Sequence, residues 1–230
     1  NMAAIKKYLT DENKPLFNRA TEGVYPPGSI FKLVVAAAAL EEKVINEKTV
    51  FEDTGFLQAG PLKFSNWYFL QYGKTDGLVD VVKAIQRSND IFFYLVGEKT
   101  TVEKIKRWAQ NFGYDQKTGF GLEEVEGLIP SPFWKEEKLN EKWFLGDTYN
   151  FSIGQGYMLV TPLQVTVSTA VFANGGYLCR PQLLKIAPNR WSKERTCQKV
   201  PLSTKTLHLI REGMRQACSP GGTGWPLFNF

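Results

Sequence analysis

Two short stretches of this chain hold side chains whose types and spacing suit acyl-transfer chemistry. In "PPGSIFK", Ser29 and Lys32 stand three residues apart at the start of an apolar run. On a helix that spacing puts a hydroxyl and an amine on one face. First-turn N–H groups have no intrahelical partner and carry partial positive charge. That field, together with apolar burial, lowers a lysine's pKa, so that a neutral amine can take the hydroxyl proton. The Ser29 N–H is then available to a developing oxyanion. The same residues also read as a helix-starting serine and a lysine snorkelling to solvent, and spacing alone leaves both readings open. The second stretch is "QRSNDIFFY", where Ser88 and Asp90 lie between two apolar helical segments. Ser88 suits passing a proton between Lys32 and a leaving amine, and Asp90 a hydrogen bond to the lysine or the substrate. Helix capping accounts for both residues equally well.

Composition narrows the chemistry. Of the 230 residues, 43% are hydrophobic and 13% aromatic, enough for a core. The charge of +5 comes from 28 basic and 23 acidic residues scattered in both signs, with no basic stripe for nucleic acid. Cys179, Cys197, Cys218 and the single histidine, His208, offer no CxxC spacing and almost no material for zinc or cysteine catalysis. The longest apolar run, Leu33 to Leu40, has eight residues, too few to cross a membrane. The ends, "NMAAIKK" and "GWPLFNF", read as cuts through a longer protein. Lys117-Thr118-Gly119 spells K-T-G but lies in a turn before the acidic "LEEVEG", and "PGGTGW" lacks the ending of a phosphate loop. His208 reads as a surface residue, and Glu123, Glu124 and Glu126 as a solvated loop.

The elements that position these residues are mostly helices. Residues 1 to 25 read as a loop with at most one short helix. Pro26 and Pro27 block a helix from upstream, so one is expected from Gly28, as N-cap, to about Glu42. Residues 49 to 73 suggest an irregular hairpin excursion. Helices follow over 78–87, from Ser88-Asn89-Asp90 through "IFFYLVGEK", and from a Thr101 cap to Gly113. Ser131-Pro132 and Thr161-Pro162 open two more. One strand, "YLCRPQLLKIA", precedes an amphipathic helix from Ser203 to about Ala217.

In this order, "NRATEGVYPPGSIFK", "SND", "GLEEVEGLIPSPFWK", "GDTYNFSIGQGYMLVTPLQ" with "ANGG", and "GMRQACSPGGTG" resemble the transpeptidase domain of class B penicillin-binding proteins, closest to the monofunctional elongation type. The resemblance implies an α+β penicillin-binding transpeptidase and serine β-lactamase-like fold, of which residues 1–230 hold mainly the helical part. The family's first strands are then expected before Asn1 and its K-T-G strand after Phe230. It implies a peptidoglycan D,D-transpeptidase that acts on D-Ala-D-Ala stem peptides and is trapped by β-lactams. Ser29, Lys32, Ser88 and Asp90 are the catalytic set, and Gln155 and Gly156 shape the region beside the substrate. No cofactor is implied. Some relatives bind zinc between the first two motifs, but residues 33 to 87 contain no His or Cys, so no metal is expected. The implied partner is a membrane glycosyltransferase of the elongation machinery. The implied place is the outer face of the cytoplasmic membrane, with an anchor outside residues 1–230. A β-lactam sensor or β-lactamase, and a non-catalytic scaffold, are the rival readings.

Overall fold

Because the alanine-rich stretch after Lys32 has no polar face, it has to be wrapped by other elements. A computed structural model describes residues 2–184 and 196–227 and places that stretch in α2 (Lys32–Glu41), with Val34 to Ala39 buried throughout. The alanines present no bulk, so α5 (Asp90–Thr100), α6 (Val102–Asn111) and α10 (Thr204–Ala217) all pack against it. Around this axis lie α4 (Val81–Arg87) against α10, and α8 (Leu145–Ser152) against α5. Aromatic side chains fill the junctions. Phe31 meets Tyr114 and Phe151 with ring centres 5.8 and 5.5 Å apart.

The remaining helices are α1 (Met2–Thr10), α3 (Trp67–Tyr72), α7 (Pro132–Leu139) and α9 (Pro162–Ala173). Among the described residues the strands form three separate antiparallel pairs. β1 (Phe51–Asp53) pairs with β4 (Gly77–Val79), β2 (Phe56–Ala59) with β3 (Leu62–Ser65), and β5 (Tyr177–Cys179) with β6 (Cys197–Lys199). This helix-rich α+β layout agrees with the expected fold class. Cys179 and Cys197 face each other across β5 and β6 and form a disulfide.

Several helix starts follow their expected caps. The Ser131 hydroxyl accepts from Trp134 N–H, the Ser203 hydroxyl accepts from Thr206 N–H, and Thr161 forms a capping box with Gln164. Four expectations need correction. Thr101 precedes α6 at φ +76° and makes no side-chain cap bond. Residues 78 and 79 belong to β4, so α4 starts at Val81, capped by Asp80, which accepts from Lys83 N–H. The hairpin expected over 49–73 is present as β2–β3, and the correction there is the added helix α3. The strand expected from Tyr177 ends at Cys179, because its partner β6 is equally short; residues 185–187 of that expectation lie outside the described set.

The crossing of α5 and α8 gives a stability prediction. Helix propensity favours alanine over Gly97 by about 1 kcal/mol. A Cβ at Gly97 would, however, overlap the buried Ser152 Oγ, which is held by a 2.7 Å bond to the Thr148 carbonyl. Overpacking of that kind costs about 1–3 kcal/mol, so the clash wins. Gly97→Ala is expected to lower the melting temperature by several degrees, at about 2–4 °C per kcal/mol for a chain of this size. A melt at or above the wild-type value would show that helix propensity, not the close approach, governs this site.

Candidate active site

Ser29 sits on a tight turn whose shape two glycines allow. Gly28 adopts φ +60° and donates its N–H to the Gly154 carbonyl at 2.9 Å. Gly154, at φ +70°, comes so close that a Cβ there would overlap the Gly28 carbonyl. Gly28 is therefore not an N-cap. It opens a 3₁₀ turn, Gly28–Phe31, with Lys32 as the first residue of α2. Three residues per turn bring positions i and i+3 into line, so Ser29 and Lys32 stay on one side of the turn, although among the described residues no hydrogen bond joins their side chains. Ser29 is exposed, whereas Lys32 is only 2% exposed. The lysine therefore does not snorkel.

The Lys32 amine points at the second stretch. Nζ donates to Asp90 Oδ1 at 2.6 Å, to the Ser88 carbonyl at 2.8 Å and to Ser88 Oγ at 3.1 Å. It also lies 5.6 Å from the centre of the Phe93 ring. Burial lowers the lysine's pKa, and the Asp90 carboxylate pushes back without cancelling that effect. The other oxygen of Asp90 accepts the Trp67 N–H at 2.9 Å. Ser88 is the C-cap of α4 and has left-handed angles, φ 50° and ψ 42°. Asn89 is the N-cap of α5, accepting from Phe92 N–H at 2.9 Å. Capping and chemistry therefore share one three-residue junction, with the cap assigned to Asn89 and the lysine contacts to its two neighbours.

Ser29, Ser88 and Asp90 open onto one cleft of about 430 Å³, whose other walls include Trp67, Gly222 and Thr223. None of the three was singled out in the sequence, although Gly222 and Thr223 lie in the stretch "GMRQACSPGGTG" that carries part of the resemblance. Trp67 begins α3, which has no side-chain cap to announce it, and Thr223 is in the glycine-rich "PGGTGW". The Thr223 N–H donates to the Gln86 carbonyl at 3.2 Å, which ties that turn to the end of α4. Gln155 lies beside the nucleophile turn, with its Nε2 within 3.5 Å of where a Gly28 Cβ would stand. Gly156 follows at φ +74°; both are exposed, and neither lines the cleft around Ser29.

The other sequence candidates lie elsewhere. Lys117 lines a separate cleft with Arg180 and Cys179. The turn after it is clasped by Glu124, which accepts from Thr118 N–H, Thr118 Oγ1 and Phe120 N–H at 2.6–2.8 Å. Burial pushes the Glu124 carboxyl up, but those bonds outweigh it and hold the group below its ordinary range. Glu124 is thus not simply solvated, as its acidic neighbours had suggested. His208 is exposed on α10.

Comparison with known proteins places this geometry. A peptidoglycan D,D-transpeptidase MrdA of Salmonella typhimurium is 35% identical over 234 residues, covering 97% of this chain and 37% of that protein. A penicillin-binding protein, PBP2, of Helicobacter pylori in complex with MreC superposes with a TM-score of 0.86 at 32% identity, covering 98% of this chain and 41% of that one. A structure on the coordination of polymerization and crosslinking by a peptidoglycan synthase complex also superposes at 0.86, with 31% identity over 99% of this chain and 38% of that one. The chain thus spans about two fifths of the length of each. The family model for the penicillin binding protein transpeptidase domain runs from residue 2 to residue 227. A match of that extent, over a fold that sets an exposed serine one turn from a buried lysine, means that this chain belongs to the penicillin-binding protein transpeptidase family.

Proposed function

We propose that this chain carries the acyl-serine site of a peptidoglycan D,D-transpeptidase of the elongation type. One observation carries the reading. An exposed hydroxyl, Ser29, stands one turn from an amine, Lys32, that is buried and held by Ser88 and Asp90. In its neutral form Lys32 takes the Ser29 proton as Oγ bonds to the penultimate D-alanine carbonyl of a stem peptide. The bond to the terminal D-alanine then breaks, and its nitrogen receives that proton from the Lys32 ammonium through Ser88. The amine of a second stem attacks the ester, gives its proton to Lys32, and Ser29 leaves with the proton returned. Gln155 borders the nucleophile turn and, with Gly156 next to it, shapes the substrate's approach from that side.

A β-lactam presents the same type of carbonyl and would stop at the ester. The relatives' names favour this activity over a sensor or a β-lactamase, and a site with Ser29, Lys32 and Ser88 all in place argues against a scaffold without chemistry. For partners we infer a membrane glycosyltransferase of the elongation machinery, by likeness to the synthase complex described above. The Cys179–Cys197 disulfide supports work outside the cytoplasm, where such bonds persist. With the likeness to the elongation-type family, it supports our reading that the site works on the outer face of the cytoplasmic membrane.

Two predictions test the roles. In the full-length protein, fluorescent penicillin should attach to Ser29, and Ser29→Ala should remove the label. Lys32→Met keeps the apolar volume and loses the base, so acylation should fall by about 10²–10⁴-fold with the fold retained. Lys32→Arg should be equally slow, because a guanidinium stays protonated. Peptide mapping that finds the adduct elsewhere, or a folded Lys32→Met protein within a few-fold of wild type, would end the serine–lysine assignment.

The second prediction concerns pH. Only the neutral amine accepts a proton, so acylation rises with pH through the Lys32 pKa. Asp90 is the group that raises this pKa against burial. Asp90→Asn should therefore shift the acid limb of the acylation profile to lower pH. A limb that stays in place or moves to higher pH would show that Asp90 does not set the charge of Lys32.

A further inference from the structure

Behind the lysine lies a buried carboxylate that the mechanism does not use. Asp53, at the end of β1, is 3% exposed, and both its oxygens are occupied by N–H donors. Oδ1 accepts from Gly55 N–H at 2.8 Å. Oδ2 accepts from the Asn66 amide at 2.7 Å, from Asp76 N–H at 2.9 Å and from the Asn89 amide at 2.9 Å. Among the described residues no cation pairs with it. Four N–H dipoles are what hold this buried charge.

Two of those donors lead to the site. Asn66 and Asn89 are 0% exposed. The Asn66 amide oxygen accepts Asp90 N–H at 3.1 Å, and the next residue, Trp67, gives its N–H to Asp90 Oδ2. Asn89 lies between Ser88 and Asp90, and its amide nitrogen donates to Asp53 and, at 3.1 Å, to Asp76 Oδ2. Asp76 is in turn fixed by the Arg87 guanidinium at 2.8 Å. Gripping the Asn89 side chain fixes the peptide groups on either side of it. This explains how Ser88, which is not glycine, is kept in a left-handed conformation that L-residues seldom adopt.

We propose that Asp53 is a positioning residue of the acyl-serine site, holding Ser88 and Asp90 against Lys32 through Asn89 and Asn66. The proposal rests on the serine–lysine reading for its consequence in rate, but the geometry it asserts is separate from activity. Asp53 touches neither Lys32 nor the cleft. It acts by fixing the junction to which the lysine amine is bound. Without that grip, Ser88 can relax from its strained angles, and the 2.6 Å contact between Lys32 and Asp90 loosens.

The test uses the full-length protein with two substitutions. Asn89→Ser is decisive: serine keeps an oxygen to cap α5, but the two amide bonds to Asp53 and Asp76 are lost, with no change of charge. Asp53→Asn is the companion, which keeps the shape and removes the charge. Each is followed by a thermal melt, by the acylation rate with fluorescent penicillin and by an NMR titration of the Lys32 side-chain carbon next to the amine. The ionisable groups around that amine are Asp90 in contact, Asp53, Asp76 and Arg87 behind it, and Tyr94, which feels the Asp90 charge. None of these changes in Asn89→Ser, so a displaced titration there reports moved atoms.

We expect a folded Asn89→Ser protein in which the Lys32 midpoint falls and acylation slows by about 10-fold or more, towards the 10²-fold loss typical of a small misplacement. A folded Asn89→Ser protein with the wild-type Lys32 titration overturns the proposal whatever its rate, and so does a displaced titration with a rate within two-fold of wild type. If Asp53→Asn fails to fold, Asn89→Ser still decides. If the wild type itself takes no penicillin, the transpeptidase reading fails, and the Lys32 titration alone then supports or overturns the positioning role.

Discussion

The structure depends on keeping one ion pair, Lys32 with Asp90, out of water. Taking two charges into a protein interior costs several kcal/mol each unless close geometry and further hydrogen bonds offset it. Here the contact is 2.6 Å, and the remaining polar atoms are satisfied. The ammonium has Ser88 for its other two hydrogens, and the carboxylate has Trp67 N–H on its second oxygen. The pair joins the start of α2 to the start of α5, so the two central helices meet at the point of chemistry. Stability and reactivity are therefore coupled at a single contact.

The same turn has to meet opposite demands. Ser29 must face solvent to meet a substrate, while Lys32, three residues on, must be buried to lose its proton readily. A 3₁₀ turn backed by Gly154 satisfies both, because it changes the direction of the chain within one residue of the helix start. The alanines that follow let α5, α6 and α10 close over the lysine's stem without large side chains to displace. An ordinary amphipathic helix would leave a polar stripe here and open the amine to water.

How much of this was legible in the sequence depended on whether the signal was local. Ser29 and Lys32 lie within a single turn, and Ser131, Thr161 and Ser203 mark their helices within three residues, so these could be read directly. α3 and α8 have Asn66 and Phe144 as N-caps, neither of which caps its helix through a side-chain oxygen of its own, and both lay hidden in aromatic or polar runs. The pairing of Lys32 with Ser88 and Asp90 spans more than fifty residues; the residue types suggested it, but helix capping explained them equally well until the family resemblance favoured the pairing. Asp53 and Asn66 carried no signal, and Asn89 was legible only as part of the Ser88-Asn89-Asp90 helix start. Each is an unremarkable polar residue until folding brings β1, α3 and α5 together around one carboxylate. The disulfide was hidden for the same reason, since its partners are 18 residues apart and only the short β5–β6 register opposes them.

The resting state also indicates how the proposed proton path begins. All three ammonium hydrogens of Lys32 are committed, two of them to Ser88 and one to Asp90. Losing a proton leaves two hydrogens and a lone pair, so one of those three bonds must be given up. The bond to Asp90 is the charged and shortest one, and the Ser88 carbonyl can only accept. The Ser88 hydroxyl is the partner that can reverse, since it can both accept from the ammonium and donate to the amine. Giving up that one bond frees the amine's lone pair for the Ser29 proton with the contacts to Asp90 and the Ser88 carbonyl intact, and it leaves the Ser88 hydroxyl free for the relay. A threonine at position 88 would retain the hydroxyl, but a β-branched residue fits poorly in left-handed backbone. The site therefore needs a hydroxyl on a small, unbranched side chain at a strained position, and Ser88 meets both conditions.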